Sequence, residues 1–190
     1  MRNYRILPVT PDEYETVRQI AHATWPDTFK NILTGAQIDY MLRMMYSRQA
    51  MEEQVAKGHV FHLLVEAQRG NQNANPNPDY LKATTTRFKP VAYVSHEIDY
   101  LPATTKIHKL YALPSVQGKG YGKALINKVA MIARNAGQEK LRLDVNYQNK
   151  AVGFYEYLGF EKVGRFDTDI GNGFLMEDWQ MEMLLQEHQS

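Results

Sequence analysis

The sequence contains no cysteine. That absence excludes disulfides, cysteine-ligated zinc and any cysteine nucleophile, and it fits a reducing compartment. No run of about 18 apolar residues, the length that spans a bilayer, is present. The opening MRNYRILPVTPDEY also lacks the charged-then-apolar order of a secretory signal. The expectation is a cytoplasmic protein with no membrane partner. Charge of one sign is lacking too: 22 basic residues stand against 21 acidic ones, a net charge of +1. Proteins that neutralise many phosphates are not so balanced, so nucleic acid is not expected as a partner.

What is present is the composition of an ordinary packed protein, 44% hydrophobic and 23% charged. At 190 residues the expectation is one domain over 1–190. YRILPV near the start is short and β-prone. Thr10, Pro11 and Glu13 then supply a capping hydroxyl, a proline at the first helical position and a carboxylate three residues after the cap. Tyr14, Val17, Ala21 and Trp25 recur at helical spacing until Pro26, where the pattern is expected to stop. A second helix is expected after Thr34 and Gly35, carrying Ile38, Met41, Leu42 and Met45.

Strands are expected at 59–67, 90–98 and 104–113, with an Asn-, Pro- and Gly-rich loop between the first two. A helix bearing Leu125, Val129, Ile132 and Ala136 should follow and end at Gly137. KLRLDV alternates as a half-buried strand, KAVGFYEYL reads as a short helix ending at Gly159, and FEKVGRF and FLMEDWQMEML read as the last strands. Strands flank helices throughout, which predicts an α/β fold with a mixed sheet.

The stretch VQGKGYGKAL places glycine at 118, 120 and 122 between a strand and a helix. Glycines so spaced let successive N–H groups turn inward as an anion-binding nest, and the helix N-terminus adds its positive dipole end. Lys119 and Lys123 would add charge. The alternative is a plain glycine-rich turn. A P-loop is disfavoured because Lys123 is followed by Ala124, and a dinucleotide fingerprint because the third glycine comes one residue early.

Gln117-x-x-Gly120-x-Gly122 resembles the Q/R-x-x-G-x-G/A signature of the GNAT superfamily of N-acetyltransferases. Downstream, Ala151, Tyr155, Gly159 and Phe160 resemble that family's A-x-x-x-Y-x-x-x-G-F segment at matching spacing. The segments IHKLYALPSVQGKGYGKAL and GNGFLMEDWQM are similar to those of the PaiA-like, polyamine-acetylating members. The resemblance implies a GNAT-type mixed, largely antiparallel sheet with flanking helices and a splayed central strand pair. It implies acetyl-CoA as co-substrate, with no metal.

On the same basis Leu110, Tyr111 and Ala112 would offer backbone groups to the pantetheine arm. Gln117, Gly118, Lys119, Gly120, Tyr121, Gly122 and Lys123 would hold the pyrophosphate. The family's asparagine falls on Asn149 or on Gln148, depending on the direction of counting. Tyr155 would be the general acid that reprotonates the CoA thiolate, or else a core tyrosine beside Phe154 and Tyr157.

For the base that deprotonates the amine, His96, Glu97, His108 and Asp144 are candidates. Trp25, Phe29, Tyr40, Met41, Met44 and Tyr46 are candidates for the acceptor wall, or are core. Asp167 and Asp169 border the cleft or sit in a solvated turn. The absence of cysteine leaves direct attack by the amine as the mechanism. The expected partner is a small-molecule amine, with a homodimer also compatible. The alternatives are a protein or peptide N-acetyltransferase and a non-catalytic acyl-CoA-binding module.

Overall fold

The computed structural model describes residues 3–68 and 87–185. Most of the expected loop between the first two predicted strands lies outside the described residues. Among the described residues seven strands form one sheet: β1 (Tyr4–Pro8), β2 (Val60–Gln68), β3 (Arg87–Leu101), β4 (Thr104–Ala112), β5 (Lys140–Asn146), β6 (Glu161–Gly171) and β7 (Phe174–Leu184). Their spatial order is β1-β2-β3-β4-β5-β7-β6. Every neighbouring pair is antiparallel except β4 and β5. That one parallel pair needs a crossover, and the helix expected after the glycines supplies it.

The helices are α1 (Tyr14–Phe29), α2 (Gly35–Tyr46), α3 (Arg48–Ala56), α4 (Tyr121–Asn135) and α5 (Ala151–Tyr157). Thr10 and Glu13 form the expected capping box, the Thr10 N–H donating to Glu13 Oε2 at 2.6 Å. Pro26 does not stop α1. A proline so close to a helix end removes only its own N–H from the ladder, and the Lys30 N–H still donates to the Pro26 carbonyl at 3.0 Å. Helix α3 was not expected. It has one buried residue, Met51, and so carries no periodic apolar stripe, though Ser47 Oγ caps it by accepting from the Ala50 N–H. Among the described residues, no helix is long and apolar enough to cross a membrane.

Two cores lie on opposite faces of the sheet. On one face, Leu125, Ile126 and Val129 of α4 pack with Val94, Ile107, Leu141 and Leu143. On the other, Val17, Trp25, Met41 and Tyr46 of α1 and α2 pack with Phe61, Leu63 and Tyr93. Each large apolar side chain buried in these layers contributes roughly 1.5–3 kcal/mol.

The sheet is interrupted where it matters. In the β3–β4 ladder Ser95 pairs with Lys109 and His96 with Ile107, so His108 is an extra residue, a β-bulge. Pairing between β4 and β5 runs only from Thr104 opposite Lys140 to Ile107 opposite Leu143. A bulge bends its strand, and from that point β4 and β5 part.

Helix α5 ends by a local device that explains the Tyr-x-x-x-Gly-Phe spacing. The Gly159 N–H donates to the Glu156 carbonyl and the Phe160 N–H to the Tyr155 carbonyl, both at 3.0 Å. This Schellman closure needs a left-handed residue, and Gly159 has φ +97°. The apolar contact that accompanies it is Phe160 against the Tyr155 ring, with centroids 5.8 Å apart. A Cβ at Gly159 would meet Met183 Sδ at an ordinary 3.8 Å, so strain rather than collision sets its cost. We expect Gly159→Ala to lower stability by about 1–2 kcal/mol in urea unfolding.

Candidate active site

A cleft of about 1210 Å³ opens where β4 and β5 part. Its walls include the diverging strand residues 106–112 and 143–146, the glycine loop, the start of α5, and parts of α1 and α2. Beyond Ile107, the edge of β4 that faced β5 has no strand beside it among the described residues. Leu110, Tyr111 and Ala112 all lie on this stretch and line the cleft.

The glycine loop closes one end. Gly118 and Gly120 both have φ +79°, and Gly120 is the N-cap of α4. The first N–H groups of a helix have no intrahelical acceptor, so those at the start of α4 are available to an anion. Among the described residues, a Cβ at Gly120 would meet nothing within 4 Å. Gly122 does a different job: a Cβ there would stand 3.1 Å from Phe154 Cζ, so its absence lets α4 approach α5.

Gln117, Gly118, Gly120, Tyr121, Gly122 and Lys123 line the cleft. Lys119 is not among the lining residues; its Nζ pairs with Glu66 Oε1 at 2.8 Å. Tyr121 anchors the loop, its hydroxyl donating to the same Glu66 oxygen at 2.5 Å. Burial first, then that carboxylate, pushes the Tyr121 hydroxyl up to about 12.

Tyr155 lines the cleft from α5 and is 8% exposed. Burial raises its pKa, so it holds its proton across the neutral range. Asn149 and Gln148 both reach the cleft, but their local roles differ. Asn149 Oδ1 accepts from the Ala151 N–H at 2.9 Å and so starts α5, whereas Gln148 is exposed and donates to the Tyr147 hydroxyl.

Carboxylates line the side opposite α4. Asp144 lies on β5 and is bound by Lys106 Nζ at 2.6 Å. Asp178, on β7, faces the cleft with 5% exposure. Burial, then the charge of Asp144, pushes the Asp178 carboxyl up to about 6, against the pull of Lys106. Tyr111 sits within electrostatic reach of both candidate groups. Burial foremost raises its hydroxyl, and Tyr46, Tyr155 and Asp178 add to the effect.

Asp178 was missed in the sequence. The alternation of Trp179, Met181 and Met183 signals one face of β7, and that same alternation puts Asp178 on the other, beside Asn146 in the ladder. The other expected bases are distributed differently. His96 is 1% exposed and stacks on His62 at 5.5 Å, and it does not line the cleft. His108 lines the cleft and bonds through Nε2 to Glu97 Oε2 at 2.8 Å; Glu97 itself does not line it.

Of the expected acceptor wall, Trp25, Phe29, Met41 and Tyr46 border the cleft while being buried in the helical core. Tyr40 and Met44 do not border it. Tyr40 donates to the Ile170 carbonyl at 2.7 Å, and Met44 is exposed. Asp167 and Asp169 are exposed on the edge strand β6, away from the cleft and before the turn, since β6 runs on to Gly171.

Comparison with known proteins agrees with this geometry. Residues 42–160 match the Acetyltransferase (GNAT) family, and the chain belongs to it. An uncharacterized N-acetyltransferase of Methanocaldococcus jannaschii is 36% identical over 80 residues, which are 39% of this chain and 35% of that protein. The chain thus spans about a third of that relative's length. The spermidine N(1)-acetyltransferase of Thermoplasma acidophilum is 24% identical over 174 residues, 90% of this chain and 94% of that one. The solved PaiA N-acetyltransferase of Thermoplasma acidophilum, in complex with coenzyme A, superimposes with a TM-score of 0.71 at 21% identity, covering 95% of this chain and 98% of that one. The expected fold, mixed and largely antiparallel with a parted central pair, is the one observed.

A raised carboxyl pKa has a cost that can be measured. The folded chain binds this proton more tightly than the unfolded one, whose Asp178 would titrate near 3.8. The stability contributed by Asp178 is therefore complete below pH 3.8 and is lost as pH rises through about 6. Asp178→Asn should be more stable than the native chain at pH 8 by about 2–3 kcal/mol, with the gap closing on acidification, in denaturant unfolding followed against pH.

Proposed function

We propose that the chain is an acetyl-CoA-dependent N-acetyltransferase acting on a small, positively charged primary amine by direct attack in a ternary complex. The observation that carries this is the convergence, on one cleft, of an open strand edge, a helix-capped glycine nest, and two groups of opposite proton preference. The open edge of β4 at Leu110, Tyr111 and Ala112 suits an extended arm rich in amide groups, which adds to a sheet edge by main-chain hydrogen bonds. The loop from Gln117 to Lys123 suits a pyrophosphate, with Lys123 rather than Lys119 supplying the nearer charge.

In the transfer step the amine nitrogen attacks the thioester carbonyl, the C–N bond forms and the C–S bond breaks. Asp178 takes the proton released from the amine, directly or through water, and Tyr155 gives its proton to the departing thiolate. A base with a pKa of about 6 is ionised at neutral pH and still basic enough to serve, and a tyrosine raised by burial is a reliable proton donor there. Asp178, ionised at neutral pH, favours a cationic acceptor, whereas the charge of Asp144 is offset by Lys106. That preference accords with the polyamine relatives and with the PaiA-like segments.

The test is a thiol-release assay against polyamines, other amines, amino acids and peptides. Turnover on polyamines with none on peptides is expected. Turnover on peptides alone would point to a protein acetyltransferase, and binding of acetyl-CoA without turnover on any acceptor to a binding module.

Tyr155→Phe should lower kcat by about 10²- to 10⁴-fold while acetyl-CoA affinity is kept. Asp178→Asn should abolish the rise of kcat/KM with pH through about 6. An unchanged rate in the first or an unchanged pH profile in the second removes that residue from the mechanism. Gly120→Asp should eliminate acetyl-CoA binding in calorimetry, because it sets a strained, negatively charged side chain in the nest.

A further inference from the structure

We propose that His59, Glu97 and His108 form a binding site for one divalent transition-metal ion of the Zn²⁺ class. The three residues come from separate places in the chain. His59 follows α3 directly, Glu97 lies on β3, and His108 is the bulge residue of β4. Both imidazoles turn Nε2 toward the same carboxylate oxygen: Glu97 Oε2 lies 2.8 Å from His108 Nε2 and 3.8 Å from His59 Nε2. The three ligand atoms all lie within 4.8 Å of one another. Donors held by one Zn²⁺ at about 2.0–2.2 Å each can stand no more than about 4 Å apart, so a side-chain shift of about 1 Å closes the set.

The surroundings are built to hold these side chains. Gly58, the left-handed residue that ends α3, has no Cβ, and the Glu97 stem packs 3.7 Å from where one would be. Fully buried Ser95 places its Oγ 3.5 Å from His59 Nδ1, on the side of the ring away from Glu97. A polar partner at the far ring nitrogen is how proteins aim a metal-binding imidazole. The two rings stack at 3.8 Å, with both Nε2 atoms toward the Glu97 carboxylate.

Two of the three lysines nearest His59 have other partners. Lys106 Nζ is bound to Asp144, and Lys109 Nζ donates to Gln54 Oε1 at 2.5 Å. Among the described residues, the partners of the Glu97 carboxylate are the two imidazoles. Two imidazoles and one carboxylate suit Zn²⁺, Co²⁺ or Ni²⁺, whereas Mg²⁺ and Ca²⁺ call for oxygen sets. His108 is the bulge residue at which β4 leaves β5, so a bound ion would pin that bulge. The molecule also carries its own control: His62 and His96 stack on the other face of the sheet, and among the described residues neither belongs to a cluster of metal-ligating side chains.

The experiment uses the full chain without a polyhistidine tag, stripped by chelator and then titrated with ZnCl₂ in a calorimeter. Saturable binding of one ion per chain is expected. His59→Ala and Glu97→Gln should each weaken it by at least about tenfold, while His96→Asn leaves it unchanged. No saturable binding, or unchanged binding in both ligand variants, overturns the site. Should either variant fail to fold, as read by circular dichroism, the unaltered chain decides through CoCl₂. An intense visible spectrum of four- or five-coordinate Co²⁺ supports the site, and the weak spectrum of six-coordinate Co²⁺ overturns it. These readouts need no acetyl transfer and stand apart from the proposed activity.

Discussion

A strand that loses its neighbour halfway along must find other partners for its N–H and C=O groups, because buried backbone groups without partners are costly. β4 is in this position. It is bound to β3 along most of its length and to β5 only as far as Ile107, and the rest of its second edge faces the cleft. The arrangement of the other parts follows from that one parting. The crossover helix α4 starts beside the gap, its first residues lining the cleft. Helix α5, brought close by Gly122, sets Tyr155 on one side, and β7 sets Asp178 on the other.

The two faces of the sheet carry different chemistry. The α4 face is apolar across the gap, with Ile107, Leu143 and Val145 in one continuous core. The face toward α1–α3 mixes aromatics with charge. Trp25, Tyr46, Tyr93 and Tyr111 form a cluster with ring centroids 5.6–6.2 Å apart, and the Tyr46 and Tyr93 hydroxyls meet at 2.6 Å. Lys109 is buried against this cluster and desolvation lowers it to about 8. Polar groups held in such surroundings are the ones whose proton affinities move most.

How much of this could be read in the sequence depends on how locally each feature is encoded. The glycine loop was legible because left-handed turns and a helix N-terminus are specified by a few adjacent residues. Tyr155 was legible with Gly159 and Phe160 because the helix-ending motif ties all three within six positions. Helix α3 was not, since Met51 alone gives no period, and Pro26 misled because its place near the helix end makes it tolerable. Asp178 lay in plain alternation, but nothing local says which face of β7 meets the cleft; that is decided by pairing with β5 thirty residues upstream and more. The cluster of His59, Glu97 and His108 depends on three elements meeting, which no short window of sequence records.

The bulge at His108 also fixes the parity of the strand that follows. His108 and Lys109 both turn toward the α1–α3 side, one stacked on His59 and the other bonded to Gln54, so the alternation resumes with its phase reversed. Ile107, Leu110 and Ala112 thereby share the α4 face, and Tyr111 joins Trp25 on the other. Deleting the bulge residue would let Lys109 take the place of His108 and restore a regular ladder with Leu110, Tyr111 and Ala112 on their present faces, so what would be lost is the bend. The extra residue therefore serves the parting of β4 from β5 and the placing of two successive polar side chains on one face, not the packing of the strand beyond it.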